Sequence, residues 1–285
     1  MKKYTHNIDF FKIWTNDMSY ILGIWFADGC IYKDRNSFRW SISQTEEDKY
    51  ILENISHLLE YTGKIYTTKN KKIGNYNCKN LSTLSITSFC FYEDMVKNGG
   101  CERKSLSVSF PVVPEEYLSS FVRGFFDGDG HLRNENGTLR LQFTGGESFL
   151  NSLNMLIQSK FNTKVKIQKS KNNNVCQLKY SGNKARDILK WIYKDVEDNS
   201  SSLFLKRKYD IYKNFTPKQR TKFIIKEPSG IQHIVDNLNK FCIENGFDES
   251  NFRYYLNKEK DYNGWTIKTE NLGTTNKGKS FKLIG

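Results

Sequence analysis

The chain contains two similar eleven-residue segments, which start 101 residues apart. Residues 19–29 are Ser-Tyr-Ile-Leu-Gly-Ile-Trp-Phe-Ala-Asp-Gly, and residues 120–130 are Ser-Phe-Val-Arg-Gly-Phe-Phe-Asp-Gly-Asp-Gly. After each copy comes a short polar turn, followed by strand-like alternation at 38–43 or 138–144 and by helical spacing at 50–59 or 149–157. A basic strand-like stretch (64–66 or 164–167), another strand (81–87 or 175–181) and a second helix complete each copy. The duplication predicts two similar halves of mixed helix and strand.

The repeated segment is apolar nearly all round, which is typical of a helix buried from several sides. Gly23 and Ala27 in the first copy, and Gly124 and Gly128 in the second, are four residues apart and so share one helix face. Each glycine costs a helix about 1 kcal/mol relative to alanine, so a close approach must compensate. We therefore expect the two helices to pack along this face with their ends side by side.

Each segment ends in an acid followed by glycine, Asp28-Gly29 and Asp129-Gly130. A carboxylate at a helix C-terminus meets the negative end of the helix dipole. Two such carboxylates brought together also raise each other's pKa unless a positive charge neutralises them. A single Asp-Gly turn would simply end a core helix, but its repetition favours a shared site for a divalent cation. Hard oxygen ligands with room for water and phosphate suit Mg²⁺.

Residues 21–29 and 122–130 resemble the two signature motifs of the LAGLIDADG homing endonucleases, in the single-chain form that carries both motifs. The resemblance extends over about residues 15–215. It implies an α+β fold of two pseudosymmetric αββαββα halves, whose motif helices form the interface and whose antiparallel sheets saddle DNA. It also implies that Asp28 and Asp129 bind the metal, with the carbonyls of Ala27 and Gly128 as additional ligands.

The reaction implied by this resemblance is hydrolysis of both strands of a long double-stranded DNA target by metal-activated water. Mg²⁺ is the expected cofactor, and Mn²⁺ or Ca²⁺ would substitute in binding. Lys104 and Lys208 match the family's lysines in each half. Either they orient water and steady charge on the phosphate, or they are surface lysines that contact phosphate, and the sequence favours neither.

Gln44 matches a position that in the family holds a water-organising glutamine, whereas the second half carries Gly145 there. The two cleavage centres are therefore expected to be unequal. Asp127 also has no acidic counterpart, since Phe26 stands at the equivalent place. We interpret Asp127 as structural or peripheral.

The positive charge behind the net value of +13 is concentrated in three segments of the chain. Residues 63–80, 160–184 and 203–226 together carry +19, so the rest of the chain sums to −6. Such windows favour a polyanionic partner. Outward side chains on a strand are about 6.6 Å apart, close to the spacing of every second base along DNA. The predicted DNA contacts of the two halves are Arg39, Ser41, Ser43, Lys64, Tyr66, Thr68, Lys69, Lys71, Lys72, Arg140, Gln142, Lys164, Lys166, Gln168, Lys169 and Lys171.

The segment after the second half changes character. Residues 231–235 alternate like a strand, and residues 237–246 and the segment from Ser250 have helical spacing, which together predict a helix-turn-helix. This part resembles modules appended to phage and intron-encoded nucleases. The residues expected to contact DNA there are Ser250, Asn251, Arg253 and Tyr254. The alternative is a small appendage that only stabilises the main body.

These patterns predict halves at 1–115 and 116–220, a DNA-binding module at 226–273 and a flexible tail at 274–285. The six cysteines form no Cys-x-x-Cys pair, so we expect free thiols in a reducing intracellular compartment, either bacterial cytoplasm or an organelle. No run of about 20 apolar residues indicates a membrane span, and we expect a monomer. Two alternatives remain: an intron maturase that binds RNA, and a DNA-binding regulator that does not cleave, which the presence of both Asp28 and Asp129 disfavours.

Overall fold

Both repeats fold into the same series of elements in the computed structural model, which describes residues 4–69, 79–104, 107–169, 175–217, 222–258 and 261–270. The first half contains α1 (Asn16–Asp28), β1 (Gly29–Asp34), β2 (Ser37–Thr45), α2 (Lys49–Leu58), β3 (Tyr66–Thr68), β4 (Leu81–Thr87) and α3 (Phe89–Lys97). The second contains α4 (Leu118–Asp129), β5 (Gly130–Glu135), β6 (Thr138–Gly145), α5 (Glu147–Phe161), β7 (Gln168–Lys169), β8 (Cys176–Ser181) and α6 (Asn183–Ile192), followed by α7 (Lys194–Glu197) and α8 (Lys206–Lys213). The prediction of an α+β chain with tandem αββαββα halves is confirmed.

The two sheets have the same topology. Their strand orders are β1-β2-β4-β3 and β5-β6-β8-β7, with antiparallel neighbours throughout. Gly29 pairs with Ile42 in the first sheet, and Gly130 pairs with Phe143 in the second. The two sheets can therefore be compared residue by residue.

Strands β1 and β5 correct the prediction of a polar turn after each motif. Each is the first strand of a hairpin whose loop has only two residues, with Arg35 at φ 50° in one half and Asn136 and Gly137 at φ 51° and 75° in the other. Such short loops need left-handed backbone because it matches the twist of the strands. One side chain of each strand, Ile31 or Leu132, is buried, so the apolar alternation of a strand is missing.

The strand expected at 164–167 is also corrected, since β7 comprises only Gln168–Lys169. Val165 and Ile167 are half-buried and pack against the main core without joining the ladder. The side-chain amide of Asn154 on α5 donates instead to the carbonyl of Val165 at 3.0 Å. The alternation therefore reflects packing against the core, and Lys164 and Lys166 are exposed beside the sheet.

Helices α1 and α4 pack against each other at the centre of a hydrophobic core that extends through both halves. A β-carbon placed on Gly23 would stand 2.1 Å from the carbonyl oxygen of Phe121, and one on Gly124 would stand 2.1 Å from that of Tyr20. The two backbones are thus in direct contact, as the small-residue face predicts. Glycine is required at both places because an added methyl group would meet backbone atoms.

Helix α4 also carries a fully buried arginine, Arg123. Its guanidinium donates to the carbonyls of Ile192 and Leu203 at 2.8 and 3.0 Å, and lies 3.2 Å from the buried carboxylate of Asp195. A buried charge is tolerated only when it is paired and hydrogen-bonded in this way. These bonds attach the segment from α6 to the start of α8 to the central helix pair.

Residues 217–285 form a compact unit separate from residues 1–216. It contains β9 (Lys222–Lys226), β10 (Gln232–Val235), α9 (Leu238–Glu244), α10 (Glu249–Lys258) and β11 (Thr266–Glu270). The strands form an antiparallel sheet in the order β10-β9-β11, of which the sequence predicts only β10. The two predicted helices are present and share a core with the sheet, so they are not a bare helix-turn-helix. DNA binding by this unit stays a prediction, and residues 274–285 lie outside the described residues.

None of the helices that the structure describes combines the length and apolar character needed to cross a membrane.

Candidate active site at the paired helix ends

The ends of α1 and α4 bring two carboxylates to one place. Helix α1 ends at Asp28 and α4 ends at Asp129, and both side chains are half-buried. A β-carbon on Gly128 would lie 2.2 Å from the β-carbon of Ala27 and 2.7 Å from Oδ2 of Asp28. The Asp28 carboxylate therefore lies against the backbone of the opposite helix, which is possible only because position 128 is glycine.

Neither carboxylate titrates in its ordinary range. Burial raises the pKa of Asp28, while the hydrogen bond from Gln44 and the charges of Lys104, Lys208 and Arg207 act in the opposite direction. Burial, and then the charge of Asp28, raise the pKa of Asp129 to about 6. The helix ends thus concentrate negative charge that a cation would stabilise.

The two candidate lysines lie inside the protein, each directed at a helix end. Lys104 Nζ donates to the carbonyls of Phe26 and Ala27 at 2.7 and 2.9 Å. Lys208 Nζ donates to those of Phe126, Asp127 and Gly130 at 2.6, 2.8 and 2.6 Å. A positive charge is stabilised at this end of a helix by the dipole and the free carbonyls.

Burial lowers the pKa of both lysines, in the case of Lys208 to about 8. The charges of the two candidate metal-binding aspartates oppose this shift. Each ammonium is therefore held by carbonyls and carboxylates together. The burial favours a role at the helix ends over a phosphate contact on the outer surface, and the sequence pattern could not have distinguished the two.

The two halves differ where the first carries Gln44. Its Nε2 donates to Oδ2 of Asp28 at 2.6 Å, and the side chain is almost fully buried. The equivalent position is Gly145, since each lies two residues beyond the strand partner of the glycine that follows its motif aspartate. A cavity of about 360 Å³ opens there, lined by Asp129, Thr144 and Lys104 among others. The Asp28 side is thus filled by a glutamine where the Asp129 side is open.

Asp127 lies in the interface between the halves. Its Oδ2 accepts from the Tyr20 hydroxyl at 2.8 Å and from the amide of Leu205, the residue that caps α8, at 2.9 Å. Because α8 carries Lys208, Asp127 helps to place that lysine. At the symmetric position of the interface, Phe26 and Phe121 pack edge to face with ring centroids 5.5 Å apart. A comparison of the two motifs shows that Tyr20 corresponds to Phe121 and that Asp127 corresponds to Phe26. Only the fold shows that Tyr20 contacts Asp127 and that Phe121 contacts Phe26.

The donor set at the helix ends fits a hard divalent cation. Among the described residues no three His, Cys, Asp or Glu side chains cluster as a metal site. Mg²⁺ is commonly held by one or two carboxylates, with water and substrate phosphates completing the coordination. Asp28 and Asp129 supply such a pair. The Ala27 carbonyl already accepts from Lys104, but a carbonyl oxygen has a second lone pair.

Some of the predicted DNA contacts lie on sheet faces that point away from the core. On β2, Arg39, Ser41 and Ser43 alternate with the buried Trp40 and Ile42. The other described members are exposed or half-buried, some of them on or beside the strands: Lys64, Tyr66, Thr68, Lys69, Arg140, Gln142, Lys164, Lys166, Gln168 and Lys169. Lys71, Lys72 and Lys171 lie outside the described residues.

In the C-terminal unit the predicted contacts Ser250, Asn251, Arg253 and Tyr254 lie on α10. The Arg253 guanidinium is 2.6 Å from Glu249 and packs over the ring of Phe223, while Tyr254 is 58% exposed.

The model of the LAGLIDADG-like domain matches residues 15–98 and 116–193, more than half of the chain. Solved structures with a similar fold include the meganuclease I-SmaMI bound to uncleaveable DNA, at 13% identity and TM-score 0.44 over 69% of this chain and 88% of that one. Another is the homing endonuclease I-WcaI bound to its DNA recognition sequence, at 15% identity and TM-score 0.46 over 72% and 90%. No curated relative matches the chain. The family-model match confirms the resemblance of the two motifs, and the chain belongs to the LAGLIDADG-like domain family, with two copies of the domain in one polypeptide.

Proposed function

We propose that the protein is a site-specific homing endonuclease that hydrolyses both strands of a long double-stranded DNA target. The observation that carries this proposal is the meeting of two motif aspartates, one from each half, at lysine-capped helix ends. Two equivalent acids suit two equivalent bonds, one in each strand of a duplex. The exposed polar faces of both sheets support the same substrate.

The group that these acids would hold is Mg²⁺, with Asp28 and Asp129 as the main ligands and the carbonyls of Ala27 and Gly128 as further ones. Mn²⁺ or Ca²⁺ would substitute in binding. When bound, such an ion acidifies water and stabilises charge on the phosphate and the leaving oxygen. The chain contributes the placement of its own groups around that point.

In this proposal Lys104 and Lys208 each cap one of the two helix ends and place a positive charge near the carboxylates. Gln44 fixes the orientation of the Asp28 carboxylate by donating its side-chain amide to Oδ2. The second centre lacks this amide, since Gly145 leaves a cavity there. We therefore propose that the two strands are cut at different rates.

DNA binding is assigned to the outward faces of the two sheets and the lysines beside them, with further contacts from α10 of the C-terminal unit. We also propose that the protein acts as a monomer, because one chain supplies both carboxylates. A reducing intracellular location is supported by the five described cysteines, all of which are free thiols.

The test is incubation of a randomised duplex library with the protein and Mg²⁺, followed by sequencing of the cut ends. Wild type should cut a limited set of sequences, while Asp28→Asn and Asp129→Asn should retain binding and lose cleavage. Asp187→Asn, which makes the same charge change at an exposed position on α6, is the matched control. A wild type that cuts no duplex but binds structured intron RNA tightly would replace this proposal with the maturase.

A further inference from the structure

The two sheets present different chemistry at equivalent positions. On the second sheet Arg133 of β5 stands directly opposite Arg140 of β6. The equivalent pair on the first sheet is Tyr32 and Arg39. Like charges directly opposite on neighbouring strands destabilise a sheet, so two facing arginines need a reason and a counter-charge.

The counter-charge is Glu135 at the end of β5. Its Oε2 accepts from Nε of Arg140 at 2.8 Å, and its Oε1 lies 3.7 Å from Nη2 of Arg133. All three side chains are about half exposed, on the face opposite the buried Leu132 and Leu141. The carboxylate thus stands between two guanidinium groups and leaves a net positive cluster facing outward.

Arg140 donates to the Glu135 carboxylate through its Nε. A guanidinium presents a planar fork of donors, and guanine offers two neighbouring acceptors, O6 and N7, in the major groove. Holding an arginine in one rotamer before binding reduces the entropy lost on forming that bidentate contact. The cluster is therefore organised in advance for guanine.

On the first sheet the corresponding arginine is held differently. The guanidinium of Arg39 lies over the ring of Tyr32, 5.2 Å from its centroid. The neighbouring cross-strand row also differs between the sheets, with longer hydrogen-bonding side chains in the second sheet and small side chains in the first. In the second sheet it is His131, Gln142 and Lys179, and in the first it is Cys30, Ser41 and Ser85.

We infer that Arg133, Glu135 and Arg140 form a guanine-recognition cluster, which imposes a G·C requirement on the half-site bound by the second sheet. The first sheet imposes no such requirement at its equivalent position, because Tyr32 replaces one arginine there. The inference rests on the proposed function, since it needs duplex DNA on the outward sheet faces.

The experiment is selection of bound duplexes from a randomised library, comparing wild type with Arg140→Lys, Arg133→Lys and Glu135→Gln. Lysine keeps the charge and removes the planar fork. The preference for guanine at one position of one half-site should fall by about tenfold in the Arg140→Lys variant, with other positions unchanged. Glu135→Gln should weaken the same preference. Arg39→Lys, the matched change in the first sheet, should leave that position unaffected.

Two outcomes would overturn the inference, and they are distinguishable. If the three variants bind all sequences more weakly by one factor, with the base preference intact, the arginines contact phosphate instead. If wild type itself enriches no sequence, the proposed function fails and the inference fails with it. Far-ultraviolet circular dichroism and thermal melting of each variant should match wild type, because all three side chains are exposed.

Discussion

Replacing Gly124 by alanine tests the contact between α1 and α4 on which the meeting of the two aspartates depends. The new β-carbon would stand 2.1 Å from the carbonyl oxygen of Tyr20 and 2.8 Å from the amide nitrogen of Ile24. Ordinary contact begins at 3.4 Å, so the backbones would have to part by about 1.3 Å. Neither atom belongs to a side chain that could rotate away.

Overpacking of a well-packed core costs roughly 1–3 kcal/mol, and backbone atoms on both sides place this case at the upper end. Alanine returns about 1 kcal/mol through its higher helix propensity. We therefore expect the free energy of unfolding to fall by about 2 kcal/mol. The measurement is urea unfolding of the purified variant, followed by intrinsic fluorescence, alongside wild type.

Gly145→Ala is the control, since a β-carbon there would meet no atom closer than 3.4 Å and its stability should change by less than about 0.5 kcal/mol. Gly23→Ala should reproduce the loss seen for Gly124→Ala, because its β-carbon would also stand 2.1 Å from a carbonyl of the other helix. If Gly124→Ala is as stable as the control, the helices do not approach this closely and the reasoning is refuted.

Three further predictions concern the site. The pKa of Asp129 is raised to about 6 from an unfolded value of about 3.9, so the folded state binds the extra proton and the stability contributed by this group falls as pH rises between those values. In metal-free buffer Asp129→Asn should therefore be more stable than wild type at pH 7, with the difference vanishing near pH 4 in urea titrations; an unchanged difference would contradict the shift. Gly145→Gln should supply an amide beside Asp129 and narrow the rate difference between the two strands, measured by nicking of a supercoiled plasmid that carries the selected target; an unaltered ratio would show that the glutamine is not the cause. Tyr20→Phe should cost about 1–3 kcal/mol in thermal unfolding because it removes one of the two donors to the buried Asp127 carboxylate, the other being the Leu205 amide; an unchanged unfolding midpoint would contradict this.

Much of the fold was predictable because the same pattern of helices and strands occurs twice in the sequence. The helix pattern at 149–157 is confirmed within α5, and the strand at 81–87 coincides with β4. Strand β1 was missed because it buries only Ile31, so the alternation that marks a strand is absent. Strands β9 and β11 were missed for another reason: β9 does alternate, with Phe223 and Ile225 buried, but its partner strands and the two helices had to be known before these apolar residues could be assigned to one core.

The site was less predictable than the fold. The motif identified Asp28 and Asp129, and the sheet register confirms that Gln44 and Gly145 occupy equivalent positions. The acceptors of Lys104 are backbone carbonyls, which leave no pattern in the side chains. The contacts of Lys104 depend on where helix α1 ends and leaves its carbonyls without helical partners, and this is not visible in the side-chain pattern.

The lysine contacts have an evolutionary consequence. Lys104 binds the carbonyls of positions 26 and 27, and Lys208 binds those of 126, 127 and 130, so every acceptor survives any change of side chain. The two copies illustrate such drift, since Phe26 corresponds to Asp127 while both carbonyls accept a lysine. A change of side chain at position 26 therefore leaves the Lys104 contact in place, so the two halves of one chain can diverge there while each keeps its lysine.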